Sequence, residues 1–509
     1  MFNDNVAVEP NVFKANIAKT QTVSKSKDCK QVNGNTKKSP PPYHIFTVLG
    51  NYFVFDTSGC RFYKIDELAY RFLELCLSCS ISEAQNALLM EGNFSSQEIE
   101  RIAQEIILLS ENGLFDKPSP YFDEESFKKN LDQIDKTAVI VMELILTDSC
   151  NLACKYCYCA YQHKASEPKF MTKYIARKAV DKFFELSKSA ERLNIVLFGG
   201  EPLLNKSVFY FVVNYAKNKA KIIGKKLTFT VTTNGTLIDD KMIECFKDND
   251  IAVMVSIDGP REIHDRQCPM RGNGAPSYDF VINGIEKLLK AGITTEARCT
   301  IIKPMLDMKR LVAFYEQYNF SRIILAPAIN IAENENQFDF TCEDYAEFIN
   351  QLEKIIPHII KNFSDNNKNA FYPYHKLVNQ IINGLLSLSF PVAKCKICHS
   401  SISVDPLGNF YPCSKFYGME QWKVGNVTKG FDYERCKKLW FEYRNNIADQ
   451  CESCWAYPVC QGPCPWEISK CNGTFQKPRF CNPMRQFIEQ AAYIASTLAA
   501  NPNKAGENL

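Results

Sequence analysis

The stretch VIVMELILTDSCNLACKYC, residues 139–157, decides how the rest of the chain is read. An apolar run from Val139 to Leu146 has the length of a buried strand, and it is followed at once by Cys150-x3-Cys154-x2-Cys157. Three thiolates at this spacing can hold three irons of a cubane cluster and leave the fourth iron without a protein ligand. An open iron is a place for chemistry. Zinc is the competing reading, but zinc takes four closed ligands, usually in paired knuckles. No fourth partner at knuckle spacing follows unless Cys159 serves.

Composition supports sulfur-ligated iron. The 509 residues contain 22 cysteines and six histidines, a poor supply for mixed Cys/His zinc sites. The formal charge of +3 is close to balance, so nothing suggests a nucleic-acid or membrane surface read by bulk electrostatics. No signal peptide is evident, and no apolar stretch reaches the roughly 20 residues that span a bilayer. The chain therefore reads as cytoplasmic, where dense cysteines serve as metal ligands more often than as disulfides. Oxygen-sensitive clusters would imply an anaerobic or microaerobic cell.

Working outward, residues 1–41 are polar, lysine-dotted and end in a proline run, as expected of a disordered leader. Residues 42–118 predict a small domain: strands at His44–Leu49, Tyr52–Phe55 and Arg61–Ile65, then helices. The clearest helix has Ser95 and Glu98 as a capping box and Ile99, Ile102, Ala103, Ile106 and Leu109 on one face. Residues 119–138 read as a linker. From 139 to 330 strands alternate with helical segments, at Asn194–Phe198, Leu227–Thr232, Ile251–Ile257, Thr294–Ile301 and Arg322–Ala326. An α/β fold with about six βα units follows, with its sites at the carboxyl ends of the strands. Residues 331–390 predict a helical bridge with two amphipathic patterns, 391–485 a cysteine-rich region, and 486–509 one helix and a tail.

The strand ends carry further candidates. Gly199 and Gly200 permit close backbone approach, and Glu201, before Pro202, supplies an acceptor for an ammonium group; alone, such a loop is a common turn. Thr233, Asn234, Ser256 and Asp258 end the next two strands, where capping or turn formation is the commoner fate of such residues. Arg298 offers a fork for a carboxylate or, equally, an interstrand ion pair. Near the carboxyl terminus the pattern is Cys398-x9-Gly408-x4-Cys413, then Cys451-x2-Cys454-x5-Cys460-x3-Cys464, then Cys481. The segment is otherwise rich in Gly, Pro and polar residues, so something must staple it, and two zinc sites would do so.

The run CNLACKYC resembles the signature of radical S-adenosylmethionine (radical SAM) enzymes. The resemblance implies a partial (β/α)6 barrel and a four-iron cluster on Cys150, Cys154 and Cys157 whose free iron chelates S-adenosylmethionine. It implies cofactor contacts from Tyr156, the Gly199-Gly200-Glu201-Pro202 loop, Thr233, Asn234, Ser256, Asp258 and Arg298. An electron from a flavodoxin or ferredoxin would cleave the cofactor to a 5′-deoxyadenosyl radical that removes hydrogen from an unactivated carbon. The carboxyl-terminal cysteines are similar to the SPASM extension of these enzymes, which carries two auxiliary four-iron clusters. Carried over, one takes Cys398, Cys413 and Cys464, and the other Cys451, Cys454, Cys460 and Cys481. The usual fourth ligand of the former falls on Val392, and Cys395 is the nearest substitute. Cys159, Cys436 and Cys471 have no place in that scheme and read as small buried hydrophobes.

Residues 42–118 resemble the winged-helix recognition element that grips the leader of a ribosomally made precursor peptide by strand addition. A winged helix that binds DNA or braces the barrel is the alternative. Together these resemblances imply a peptide maturase, closest in type to those that form thioethers in Cys-rich peptides. The enzymatic rival is a sulfatase-type maturase, which makes formylglycine and in which an acidic residue follows the Tyr-Pro-Cys cysteine; here Ser414 follows Tyr411-Pro412-Cys413. A peptide-binding scaffold with structural clusters is a third reading.

Overall fold

The computed structural model describes residues 40–116, 118, 124–132, 134, 136–157, 167–303, 307–328, 340–364, 371–372, 374–383, 398, 400–470 and 477–500. Nearly all of the expected leader, and Cys159, Val392, Cys395 and Cys471, lie outside the described residues.

The first unit opens with β1 (Tyr43–Val48), β2 (Asn51–Asp56) and β3 (Arg61–Ile65), antiparallel in the order β1-β2-β3. Leu49 and Gly50, at φ 48° and 73°, turn β1 into β2 as a two-residue hairpin. Three helices follow: α1 (Glu67–Cys76), α2 (Ile81–Glu91) and α3 (Ser96–Glu111). Ser95 and Glu98 form the predicted capping box, and α3 buries Ile99, Ile102, Ala103 and Ile106. Val54 and Ile65 join the core under these helices. Phe46, Phe53, Phe55 and Phe62 belong instead to the main core. There Phe53 meets Tyr493 edge-on, and His44 stacks on Trp455 with ring centroids 3.8 Å apart.

A nine-stranded sheet forms the centre. Six parallel strands supply its middle: β4 (Val141–Ile145), β5 (Arg192–Phe198), β6 (Lys226–Thr233), β7 (Ile251–Ser256), β8 (Thr295–Ile301) and β9 (Arg322–Pro327). Their order is sequential from β9 to β4, as in a partial (β/α)6 barrel. One face is dry, with Leu144, Leu197, Val231, Val255, Ala297 and Leu325 buried. The other carries Glu143, Asn194, Thr230, Thr232, Ser256, Arg298 and Thr300, which are only partly buried. A parallel sheet covered on both faces would be apolar throughout, so this polar row marks the face that receives a ligand.

Both sheet edges differ from expectation. The two-residue β10 (Phe371–Tyr372) pairs parallel with β9. At the other edge β11 (Ser401–Val404), from the cysteine-rich region, pairs parallel with β4, and β12 (Phe410–Tyr411) pairs antiparallel with β11. Short runs of two to four residues carry too little periodicity to be found in sequence. The bridge holds three helices rather than two, Cys342–Glu353, Ile356–Ser364 and His375–Ile382. The last helix, Lys477–Ala499, begins before rather than after Pro483 and takes in Cys481. Its buried stripe, Ile488, Ala491, Ala492, Ile494 and Ala495, packs on the bridge helices and holds the helix together despite the lost proline hydrogen bond. Among the described residues no helix is long and apolar enough to cross a membrane.

Candidate functional site

Strand β4 delivers the chain to the loop that carries Cys150, Cys154 and Cys157. The loop is fixed from two sides. Thr147 and Ser149 accept backbone hydrogen bonds from Gly200 and Glu201, each 2.8 Å long. A Cβ at Gly200 would lie 2.3 Å from the Ser149 carbonyl oxygen, and one at Gly199 would lie 2.4 Å from that of Thr147. The two glycines therefore serve first to seat the β5 loop on the cysteine loop. From the other side Arg271 donates through Nε to Cys150 O at 2.8 Å and through Nη2 to Leu152 O at 3.1 Å.

Glu201 is the centre of a buried network. Its Oε1 accepts from Thr233 Oγ1 at 2.8 Å and from Leu203 N at 3.0 Å, and its Oε2 accepts from Asn234 N at 2.7 Å. Burial pushes its pKa up to about 7, against the pull of these donors. Asn234 turns its Nδ2 toward Asn151 Oδ1, 2.8 Å away, and Cys150 Sγ, 3.7 Å away. The Cys150 thiol is pushed up to about 12 by burial first, then by Glu201 and its neighbours Cys154 and Cys157. Pro202 opens a buried 3₁₀ turn, Pro202–Asn205, capped by the Glu201 side chain.

Asp258 anchors a second buried knot. Its Oδ2 accepts from Tyr156 Oη at 2.6 Å and its Oδ1 from Thr300 N at 2.9 Å, while its own N–H donates to His264 Nδ1 at 3.2 Å. Cys268 Sγ lies 3.4 Å from Asp258 Oδ2 and 3.3 Å from Tyr156 Oη. Burial holds Asp258, Tyr156 and Cys268 above their ordinary ranges and His264 below its own. Ser256 and Arg298 face each other across β7 and β8. The interstrand ion pair of this sheet is Arg322 with Glu296, so Arg298 is not spent on it.

In the carboxyl-terminal region Arg485 Nη2 donates to Cys454 Sγ at 3.3 Å. Burial pulls this guanidinium down, and Cys454, Cys481 and Cys460 outweigh it. Burial and then Cys451 and Cys460 raise the Tyr457 hydroxyl. Four of the predicted ligands, Cys451, Cys454, Cys460 and Cys481, thus share one neighbourhood. Burial raises the Cys464 thiol, and Lys415, two residues beyond Cys413, opposes that shift. Cys398 is buried, and it raises the thiol of Cys436, which is buried as expected but is given no thiol neighbour by the sequence.

Does this donor set fit clusters? A mononuclear zinc site with Zn–S bonds of about 2.3 Å needs its sulfurs about 3.8 Å apart. Among the described residues the one group whose ligand atoms all lie within 4.8 Å of one another is Asp258, His264 and Cys268. These three residues are bound to one another and to Tyr156 and Thr300 by the hydrogen bonds just given. Cys150 senses Cys154 and Cys157, but the three ligand atoms do not converge that tightly. That looser arrangement suits a multi-iron cluster better than one zinc ion.

Sequence reasoning missed Cys268, His264, Arg271, Asn151 and Glu143. Arg271, Asn151 and Glu143 act through long-range pairings, and the links of His264 and Cys268 to Asp258 follow no recognised spacing. The one visible signal was Glu143, a carboxylate in an otherwise apolar run.

Residues 144–312 match the model of the Radical SAM superfamily. A cysteine-type anaerobic sulfatase-maturating enzyme of Clostridium novyi (strain NT) is 24% identical over 373 residues, 69% of this chain and 96% of that protein. A serine-type anaerobic sulfatase-maturating enzyme of Bacteroides thetaiotaomicron is 26% identical over 340 residues, covering 62% of this chain and 80% of the other. The radical SAM cyclopropyl synthase TigE of Paramaledivibacter caminithermalis is 24% identical over 366 residues, 68% of this chain and 72% of that one. Among solved structures, native anSMEcpe with bound AdoMet and Cp18Cys peptide superposes with a TM-score of 0.59 at 19% identity, over 72% of this chain and 99% of that chain. At that identity the likeness carries the fold.

Proposed function

The chain is an enzyme of the radical SAM superfamily, related to peptide and protein maturases, and we propose that it oxidatively modifies a ribosomally made, Cys-rich precursor peptide, forming thioether cross-links. The observation that carries this reading is the seating of Cys150 between Asn234 and the Glu201 network, at the mouth of the polar face of the sheet. Cys150, Cys154 and Cys157 would hold the cluster that binds S-adenosylmethionine. Bound there, cluster and cofactor supply one-electron reduction and hydrogen abstraction from an unactivated carbon.

The residues of the chain do the rest. Glu201, Thr233 and Asn234 lock the strand ends that face the cofactor, and Asn234 supplies a donor to the Cys150 sulfur. Ser256, Asp258 and Arg298 line the polar face beside them, with Tyr156 fixed by Asp258. Cys451, Cys454, Cys460 and Cys481 would hold one auxiliary cluster, and Cys398, Cys413 and Cys464, with Cys395, another. The unit of residues 42–118 would bind the leader of the precursor, and a flavodoxin or ferredoxin would supply electrons.

A formylglycine-generating reading is favoured by one observation. Ser414 stands where the resemblance places an acidic residue, yet its N–H donates to Glu143 Oε2 at 2.8 Å, so strand β4 delivers a carboxylate to that position. Mass spectrometry of candidate peptides after anaerobic turnover separates the two. A thioether removes two hydrogens and leaves the sulfur; formylglycine from cysteine removes two hydrogens and also exchanges sulfur for oxygen. Product in which every cysteine sulfur survives supports the first reading, and sulfur loss overturns it.

A further inference from the structure

The cysteine loop is one strand of a short antiparallel ribbon. Arg271 N donates to Asn151 O at 2.8 Å, Leu152 bridges Met270, Ala153 N donates to Pro269 O at 2.8 Å, and Lys155 N donates to Gln267 O at 3.0 Å. These four pairings share one register, and that register sets Cys154 opposite Cys268. The two residues fall between hydrogen-bonded pairs, the position at which antiparallel Cα atoms approach to about 4.5 Å and side chains lie on the same face. Cys154 is close enough to raise the Cys268 thiol, after burial. Cys268 is 2% exposed and cannot turn to water instead.

We propose that Cys268 is a positioning residue for the reductive step, its S–H donating to the sulfur of Cys154 and raising the potential at which the cluster held there accepts an electron. This rests on the reading of Cys154 as a cluster ligand. The direction of the hydrogen bond then follows from the inventory of donors. A ligating Cys154 has no proton, so Cys268 is the donor. Asp258 Oδ2 also accepts from the Cys268 thiol, at 3.4 Å, but it already takes the shorter bond from Tyr156 Oη, so a thiolate at Cys154 is the stronger acceptor for that proton. Hydrogen bonds to ligand sulfur draw charge from the cluster and stabilise the reduced state, one of the levers that sets cluster potentials. The ribbon fixes the sulfur pair by backbone bonds on both sides, so the donor is in place before any cofactor arrives.

The test is an EPR-monitored redox titration of the anaerobically reconstituted full chain as wild type, Cys268→Ala and Cys268→Ser. The alanine variant is expected to reduce about tenfold less readily, a midpoint lower by about 59 mV for the signal that responds to S-adenosylmethionine. Serine keeps a donor and should stay near wild type. Equal midpoints in wild type and alanine overturn the proposal, whereas a wild-type protein with no cofactor-responsive signal overturns the functional reading beneath it. Diamide oxidation of cluster-free wild type tests the juxtaposition independently of how the variants fold. A Cys154–Cys268 linked peptide is expected, and Cys154 bridged solely to Cys150 or Cys157 counts against the proposal.

Discussion

Tyr417 Oη donates to Asp148 Oδ2 at 2.9 Å, joining the segment that follows Cys413 to the residue two positions before Cys150. The other oxygen of Asp148 accepts from Lys169 N at 2.7 Å. One carboxylate thus couples the cysteine loop of the barrel to the carboxyl-terminal cysteine region. Tyr417→Phe should cost about 1.5–3 kcal/mol, the usual worth of a buried hydrogen bond to a charged group. Chemical denaturation of the cluster-free protein measures it, and a change within error would show that Asp148 finds another donor.

Replacing Cys150, Cys154 and Cys157 together by Ala should lower bound iron from about twelve to about eight per chain, with loss of S-adenosylmethionine cleavage. Iron and sulfide analysis with EPR on reconstituted protein reads the outcome. Zinc in the carboxyl-terminal region would remove the auxiliary clusters from the proposal.

Gly200→Ala places a methyl 2.3 Å from the Ser149 carbonyl oxygen, a backbone atom that cannot rotate away. The cysteine loop must shift, at a cost of at least about 1–3 kcal/mol. First-cluster occupancy should fall while the carboxyl-terminal iron persists. Normal cluster content in this variant would contradict the packing role assigned to the glycine.

Glu201 gives a pH dependence whose sign is set by burial. Its folded pKa of about 7 lies above the ordinary carboxylate range, so the native state favours the neutral acid. The stability it contributes is intact below pH ~4.3, the unfolded value, and is lost as pH rises through about 7, by on the order of 3 kcal/mol. Glu201→Gln should lower stability overall, because an amide cannot accept from all three donors, and should flatten the slope between about pH 5 and 8. Unfolding midpoints of both proteins across that interval decide it.

Glu143→Gln discriminates between the two maturation chemistries. If the carboxylate beside Ser414 acts as a base, peptide modification should drop by about 10²–10⁴-fold with cofactor cleavage retained. An unchanged modification rate would leave Glu143 as a structural acceptor.

Much of this architecture was legible in the chain because the signals were local. The Ser95/Glu98 capping box, the alternation in β5 to β8, and Cys150-x3-Cys154-x2-Cys157 are all set by residues a few positions apart. What escaped is long-range. The pairing of β11 with β4 joins residues some 260 positions apart through four residues of weak pattern. The Cys154–Cys268 juxtaposition depends on a ribbon register that no spacing encodes. Glu201 was read as an acceptor for a ligand, whereas its oxygens also hold the strand ends together, a use that only the burial of its three donors reveals.

The stacking of His44 on Trp455 and of Phe53 against Tyr493 has a consequence for synthesis. Strands β1 to β3 leave the ribosome more than 400 residues ahead of the helix Lys477–Ala499 that covers their second face. At about 5–20 residues per second, the aromatic surface of Phe46, Phe53, Phe55 and Phe62 waits roughly 20–90 s for its cover. During that interval the nascent chain presents a sticky patch, so the yield of native protein should depend on chaperones that shield early-emerging segments.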